Sequence, residues 1–85
     1  VGSREARQLV VDALDRANAI GIRSHPGRAA FLKGDGDIAF SQIEMDSLAR
    51  MELCIALEVR TGIEVMPEQL DEIGSLSRLA DMLEK

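Results

Sequence analysis

Eighty-five residues are enough for one small domain and too few for two. Ten basic residues against 15 acidic ones leave a formal charge of −5, the wrong sign for a protein that tracks a phosphate backbone. With no Trp, no Tyr and two Phe there is no stacking platform for single-stranded nucleic acid, and a chain of this sign suits partners that carry basic patches.

No apolar run approaches the roughly 18 residues of a membrane span, so membrane insertion is not expected. The start shows no signal peptide, and Val1-Gly2-Ser3 reads as a cloning scar or an excision point. Cys54 is the only cysteine, which rules out an internal disulfide and points to a reducing, cytoplasmic setting. Without a staple, the fold must rest on its apolar helices.

Residues 4–20 place Ala6, Leu9, Val10, Ala13, Leu14, Ala17 and Ile20 on one face and predict a helix. Asp12 and Arg16 are expected to pair across one turn of its outer side, and Gly21 to stop it. From residue 21 to 45, Gly21, Pro26, Gly27, Gly34 and Gly36 punctuate a long connection with room for a turn of helix near 27–32. Connections longer than about 15 residues are uncommon in compact domains and often functional. Ile38, Phe40 and Ile43 are placed to pin its far half to the core. Residues 47–61 predict the second long helix, closed by Gly62. Pro67 predicts the first turn of a short helix through Ile73, with Leu70 and Ile73 facing inward. Ser75 is a good N-cap for a last helix whose apolar stripe is Leu76, Leu79, Ala80 and Leu83. No stretch alternates as a strand does. The expected fold is all-α: a four-helix bundle with three longer helices, one short helix and a long first loop, in one domain over residues 1–85.

Catalytic chemistry is hard to find. His25, the single histidine, lies in a Gly/Pro-rich loop near Arg23 and Arg28 and reads as a solvated loop residue rather than a base. Cys54 sits in an apolar helical run and reads as a small buried hydrophobe. Asp35 and Asp37 open like a calcium loop, but Ala39 and Phe40 stand where the third oxygen ligand and the glycine belong. One His, one Cys and no carboxylates at ligand spacing give no zinc site. Ser41 and Glu44 spell a capping box, although Asp46-Ser47 is the stronger helix start. No nucleophile has a base beside it in the sequence, so an enzyme is not expected.

The helix over 47–61 has two apolar sides. Ala49, Leu53, Ala56 and Leu57 make one, and Leu48, Met51, Ile55 and Val59 the other, bordered by Glu52 and Glu58. Periodicity supports two readings of the second side equally. It is buried against the short helix, or it meets partners with Leu48 and Met51 as anchors and the glutamates as a rim. Ser47 stands at the mouth of this helix. There it is either part of an Asp-Ser cap or a hydroxyl held out for modification, since a phosphoester suits the positive end of a helix.

Asp46-Ser47-Leu48 followed by "ARMELCIALEVRTGIEV" resembles the acyl carrier proteins, and "TGIEVMPEQLDEIGSLSRLADML" is similar to their third and fourth helices. Phe40 and Ile43 fit the apolar positions before the motif. The resemblance implies that a phosphopantetheinyl transferase moves 4′-phosphopantetheine from coenzyme A onto Ser47, with Asp46 helping to position the donor. It further implies an arm whose thiol carries acyl groups as thioesters, and docking through Leu48, Met51, Glu52, Ile55 and Glu58. The partners implied are the transferase and the synthases and acyltransferases that load and process the acyl group. A cytoplasmic monomer serving fatty-acid, polyketide or specialised acyl-chain biosynthesis is the expectation. The alternatives are an unmodified helical interaction module and a peptidyl or aminoacyl carrier. Glu44 replaces the glycine usual two residues before the Asp, and Glu44-Met45 lacks the Gly-Gly pair of peptidyl carriers. Thr61 stands where a large apolar side chain is usual. Arg50 and Arg60 interrupt the acidic helix and, with Arg23, Arg28 and Lys33, point to a dedicated partner set.

Overall fold

The computed structural model describes residues 3–17, 19 and 21–84. Ile20, assigned above to the apolar face of the first helix, and the Val1-Gly2 part of the terminal tripeptide lie outside the described residues. The helices are α1 (Ser3–Arg16), α2 (Arg28–Lys33), α3 (Ser47–Thr61), α4 (Gln69–Ile73) and α5 (Leu76–Leu83), with one 3₁₀ turn at Phe40–Gln42. Among the described residues there is no strand; Ala39 and Ser75 form an isolated antiparallel bridge. The all-α expectation holds, with three longer helices and the short α4. The turn of helix expected near 27–32 is present as α2, and it carries Phe31 fully into the core.

α1 ends four residues earlier than its apolar periodicity suggests. Ala17 N–H still donates to Ala13 O at 3.0 Å, but Ala19 N–H reaches back five residues to Leu14 O at 3.1 Å. A bond of that reach closes a helix end rather than continuing it. α1 packs against α2, α3 and α5, so its buried surface is wider than one stripe. Val11 is fully buried beside Val10, while Leu9 is only half-buried at the margin. The expected Asp12–Arg16 pair is not formed. Asp12 instead accepts from Gln8 Nε2 at 2.9 Å, and Arg16 has no ion-pair partner among the described residues.

The far half of the connection is pinned as its apolar residues suggest. Ile38, Phe40 and Ile43 are all buried. Phe40 N–H donates to Gly74 O at 3.0 Å, and Leu76 N–H donates to Ile38 O at 2.9 Å. The start of α5 is thereby tied to the loop that leads into α3. Ser75 Oγ accepts from Arg78 N–H at 3.4 Å, as its N-cap position predicts. Asp37 adds a second acceptor, taking Ser77 N–H at 2.9 Å and Ile38 N–H at 2.8 Å on one carboxylate oxygen. The capping box spelled by Ser41 and Glu44 is not used. Instead, Gln42 Oε1 accepts from Ala39 N–H at 3.2 Å and closes the 3₁₀ turn.

Arg7 joins three parts of the fold. Its guanidinium donates to Phe31 O at 2.9 Å, Gly36 O at 3.0 Å and Ser77 Oγ at 3.2 Å. It also lies over the Phe31 ring, 4.6 Å from the centroid, a cation–π distance. Arg7→Ala is expected to cost about 1–3 kcal/mol, because it strands partly buried carbonyls as well as removing donors. Urea denaturation tests this; a change within 0.5 kcal/mol, the size of an ordinary surface substitution at about that level, would remove the role.

Two carboxylates make the fold sensitive to acid. The Arg28 guanidinium, bonded at 3.1 and 2.9 Å, holds the Asp15 carboxyl below the ordinary range despite the opposing effect of burial. At Asp37 burial acts in the raising direction, but bonds from Ser77, Ser75 and Ile38 outweigh it and the net shift is downward. Carboxyls that ionise more easily folded than unfolded stabilise fully above their unfolded pKa, about 4, and lose that contribution as pH falls through the lower folded value. The denaturation midpoint is therefore expected to drop below pH 4, roughly the unfolded carboxyl pKa, and to drop less steeply in an Asp15→Asn/Asp37→Asn variant. Parallel acid curves for the two proteins would contradict this account.

Candidate functional site

The mouth of α3 is organised by Asp46. Its backbone is extended, at φ −78° and ψ −179°, and its Oδ1 accepts from Ala49 N–H at 2.8 Å. Arg50 N–H donates to the Asp46 carbonyl at 3.0 Å. The cap therefore belongs to Asp46, and Ser47 is the first residue inside the helix. Ser47 is exposed, and its hydroxyl has no hydrogen-bond partner among the described residues. The N–H groups of Ser47 and Leu48 likewise precede the first intrahelical donor, at the positive end of a 15-residue helix. An accessible hydroxyl beside two open N–H donors is a chemistry that fits a phosphodiester.

The rest of α3 separates its two apolar sides. Ala49, Leu53, Cys54 and Leu57 are buried, and Ala56 is half-buried against the core. Leu48 is 62% exposed, Met51 50%, Ile55 56% and Val59 78%, with Glu52 and Glu58 also in solvent. The second side is thus not covered by α4, and the question that periodicity left open is decided. α3 ends at Gly62, whose left-handed backbone (φ 75°) brings its N–H to Glu58 O at 2.7 Å. Thr61 contributes bonds where an apolar side chain was expected: its Oγ1 donates to Leu57 O at 2.7 Å and accepts from Ile63 N–H at 3.1 Å.

Beside the serine lies an open groove of about 580 Å³, lined by Phe40, Ile43, Met45, Asp46, Leu48 and Glu52 among others. Ser47 stands between two of its lining residues. Arg50, which also lines the groove, reaches to α4 and pairs with Asp71 at 3.2 Å.

The other residues singled out in the sequence have structural tasks. His25 Nδ1 accepts from Gly27 N–H at 2.9 Å and shapes the turn before α2. Burial raises the Cys54 thiol pKa, and the Glu68 carboxylate adds to that, which is the opposite of thiol activation. Asp35 is exposed, Asp37 caps α5, and no group of potential metal ligands occurs among the described residues. Arg28 and Arg23 both face Asp15, at 2.9 and 3.7 Å. Arg28 and, more loosely, the largely exposed Arg23 tie the connection to α1. Sequence reasoning missed the Arg50–Asp71 bridge and the Arg7 junction. Neither carried a local signal, because both join residues at least 21 positions apart.

An all-α bundle with an exposed hydroxyl at a helix mouth, next to a solvent-facing apolar stripe, agrees with the carrier resemblance of the sequence. The family model described as a phosphopantetheine attachment site matches residues 32–83, more than half of the chain, and the chain belongs to that family. The family carries a covalently attached 4′-phosphopantetheine, and the chain is a phosphopantetheine carrier. Domains of this kind are typically not catalytic themselves. The comparisons with curated proteins and with solved structures gave no match.

Proposed function

We propose that residues 1–85 act as a single acyl carrier domain with Ser47 as the attachment point of the arm. The observation that carries this reading is the division of labour at the mouth of α3, where Asp46 does the capping and leaves the Ser47 hydroxyl free. Attachment forms a bond from Ser47 Oγ to phosphorus and breaks the pyrophosphate of coenzyme A. Adenosine 3′,5′-bisphosphate leaves, and the serine proton passes to the transferase. When bound, the group supplies a terminal thiol that holds acyl chains as thioesters.

The chain's own part is to hold the attachment point and to be recognised. Asp46 keeps the first turn rigid. Leu48, Met51 and Ile55 offer apolar anchors, and Glu52 and Glu58 a charged rim that suits basic patches on a transferase, a synthase or an acyltransferase. The fully buried Leu53, Leu57 and Leu70 give the bundle an apolar interior beside α3 and α4, suited to an acyl tail. Fatty-acid, polyketide or specialised acyl-chain synthesis in the cytoplasm is the process this serves, and no helix among the described residues is long and apolar enough to cross a membrane. The exposed stripe also supports a second reading, an unmodified interaction module that docks through the same face.

Intact mass before and after incubation with coenzyme A, magnesium and a broad-specificity phosphopantetheinyl transferase separates the two. The expected result is a gain of one phosphopantetheine, mapped by peptide fragmentation to Ser47. No gain in a folded sample, with a control carrier loaded in the same tube, favours the interaction module.

A further inference from the structure

We infer that Arg50 holds the phosphodiester at Ser47, and that modification transfers this guanidinium from Asp71 to the phosphate. The inference rests on Ser47 being the attachment point and adds a residue role and a consequence for α4.

Residues three apart on a helix are surface neighbours, so a phosphate on Ser47 sits within reach of the Arg50 side chain. A guanidinium offers a planar set of donors matched to phosphate oxygens. Arg50 lines the groove that Asp46 and Leu48 border, and its guanidinium reaches Asp71 of α4. The Asp46 carboxylate is already bound into the cap beside Ser47, so a second anion there calls for a cation. Among the arginines, it is Arg50 that lines the groove beside Ser47, whereas Arg28 is bonded to Asp15.

The present partner of Arg50 is easily given up. The bridge to Asp71 is one contact of 3.2 Å, and the Asp71 side chain is 73% exposed against 30% for Arg50. A pair of that kind contributes little, and Asp71 remains solvated when it is broken. α4 has five residues, with Leu70 its buried anchor, and the Arg50–Asp71 pair is the ion pair that ties it to α3 among the described residues. Exchange of partners would therefore loosen α4 when the arm is attached. Apo and loaded carriers would then differ at the α3–α4 seam as well as at the serine.

The test compares wild type, Arg50→Gln, Arg50→Lys and Asp71→Asn, each as apo protein and after transferase loading. Intact mass and fragmentation come first; failure of wild type to load at Ser47 overturns the attachment reading itself. With loading verified, amide exchange of residues 69–73 and the ³¹P resonance of the phosphodiester are read. In wild type, loading should speed α4 exchange about two- to fivefold, the range a partly exposed ion pair supports. Apo Asp71→Asn should already exchange at the loaded rate, and Arg50→Gln should exchange alike in both states with a shifted ³¹P resonance. Arg50→Lys should restore part of the ³¹P shift. Loaded wild type with unchanged α4 exchange and the same ³¹P resonance as Arg50→Gln would overturn the inference.

Discussion

Ser47→Ala should abolish the mass gain on transferase incubation while leaving the fold intact. The Ser47 hydroxyl makes no hydrogen bond among the described residues, so removing it strands no donor or acceptor. Alanine is also the best helix former, which makes it well suited to the first position of α3. The neighbouring Asp46→Ala should behave in the opposite way. It deletes the acceptor of the Ala49 N–H bond and is expected to cost about 1 kcal/mol, the usual loss for a cap. Two adjacent substitutions thus separate chemistry from stability. Denaturation curves and intact mass on both variants check this. Loading of Ser47→Ala would remove the site assignment, and a destabilised Ser47→Ala would return the capping role to the serine.

The second large effect lies one turn deeper. Leu53→Ala and Leu57→Ala should each cost about 2–5 kcal/mol, since both side chains are fully buried at the centre of the core. A chain of this size holds a total stability of only about 4–13 kcal/mol at the usual density per residue. Either substitution is therefore expected to take the protein near its unfolding threshold. Met51→Ala and Ile55→Ala on the same helix should change stability by only about 0.5 kcal/mol or less, because these side chains already face solvent. Urea titrations of the four variants make the comparison. Equal losses on the two sides would mean that the exposed stripe is covered in solution.

Much of this was legible from short-range pattern. The spacing of Leu76, Leu79, Ala80 and Leu83 places a helix stripe without knowledge of any neighbour, and all four are buried. Ser75, Gly62 and Asp46 mark their helix ends because caps depend on local backbone groups. The Asp-Ser-Leu motif and the spacing behind it were enough to suggest the carrier family, which the match over residues 32–83 shows.

What the tertiary structure decided were choices between equivalent local options. Periodicity places Leu48, Met51, Ile55 and Val59 on one side of α3 but does not say whether another helix covers that side; the position of α4 leaves it open to solvent. Both Asp46 and Ser47 have side chains able to cap, and the extended backbone at Asp46 gives the task to one and frees the other. Charge counting cannot assign partners either. Arg23 and Arg28 meet Asp15 across 8 and 13 positions of chain, and Arg50 meets Asp71 across 21. Caps and helix stripes are set by bonds and spacings a few residues long, which a sequence displays. Exposure and ion pairing depend on segments brought together by the burial of the core, and only the folded chain reveals them.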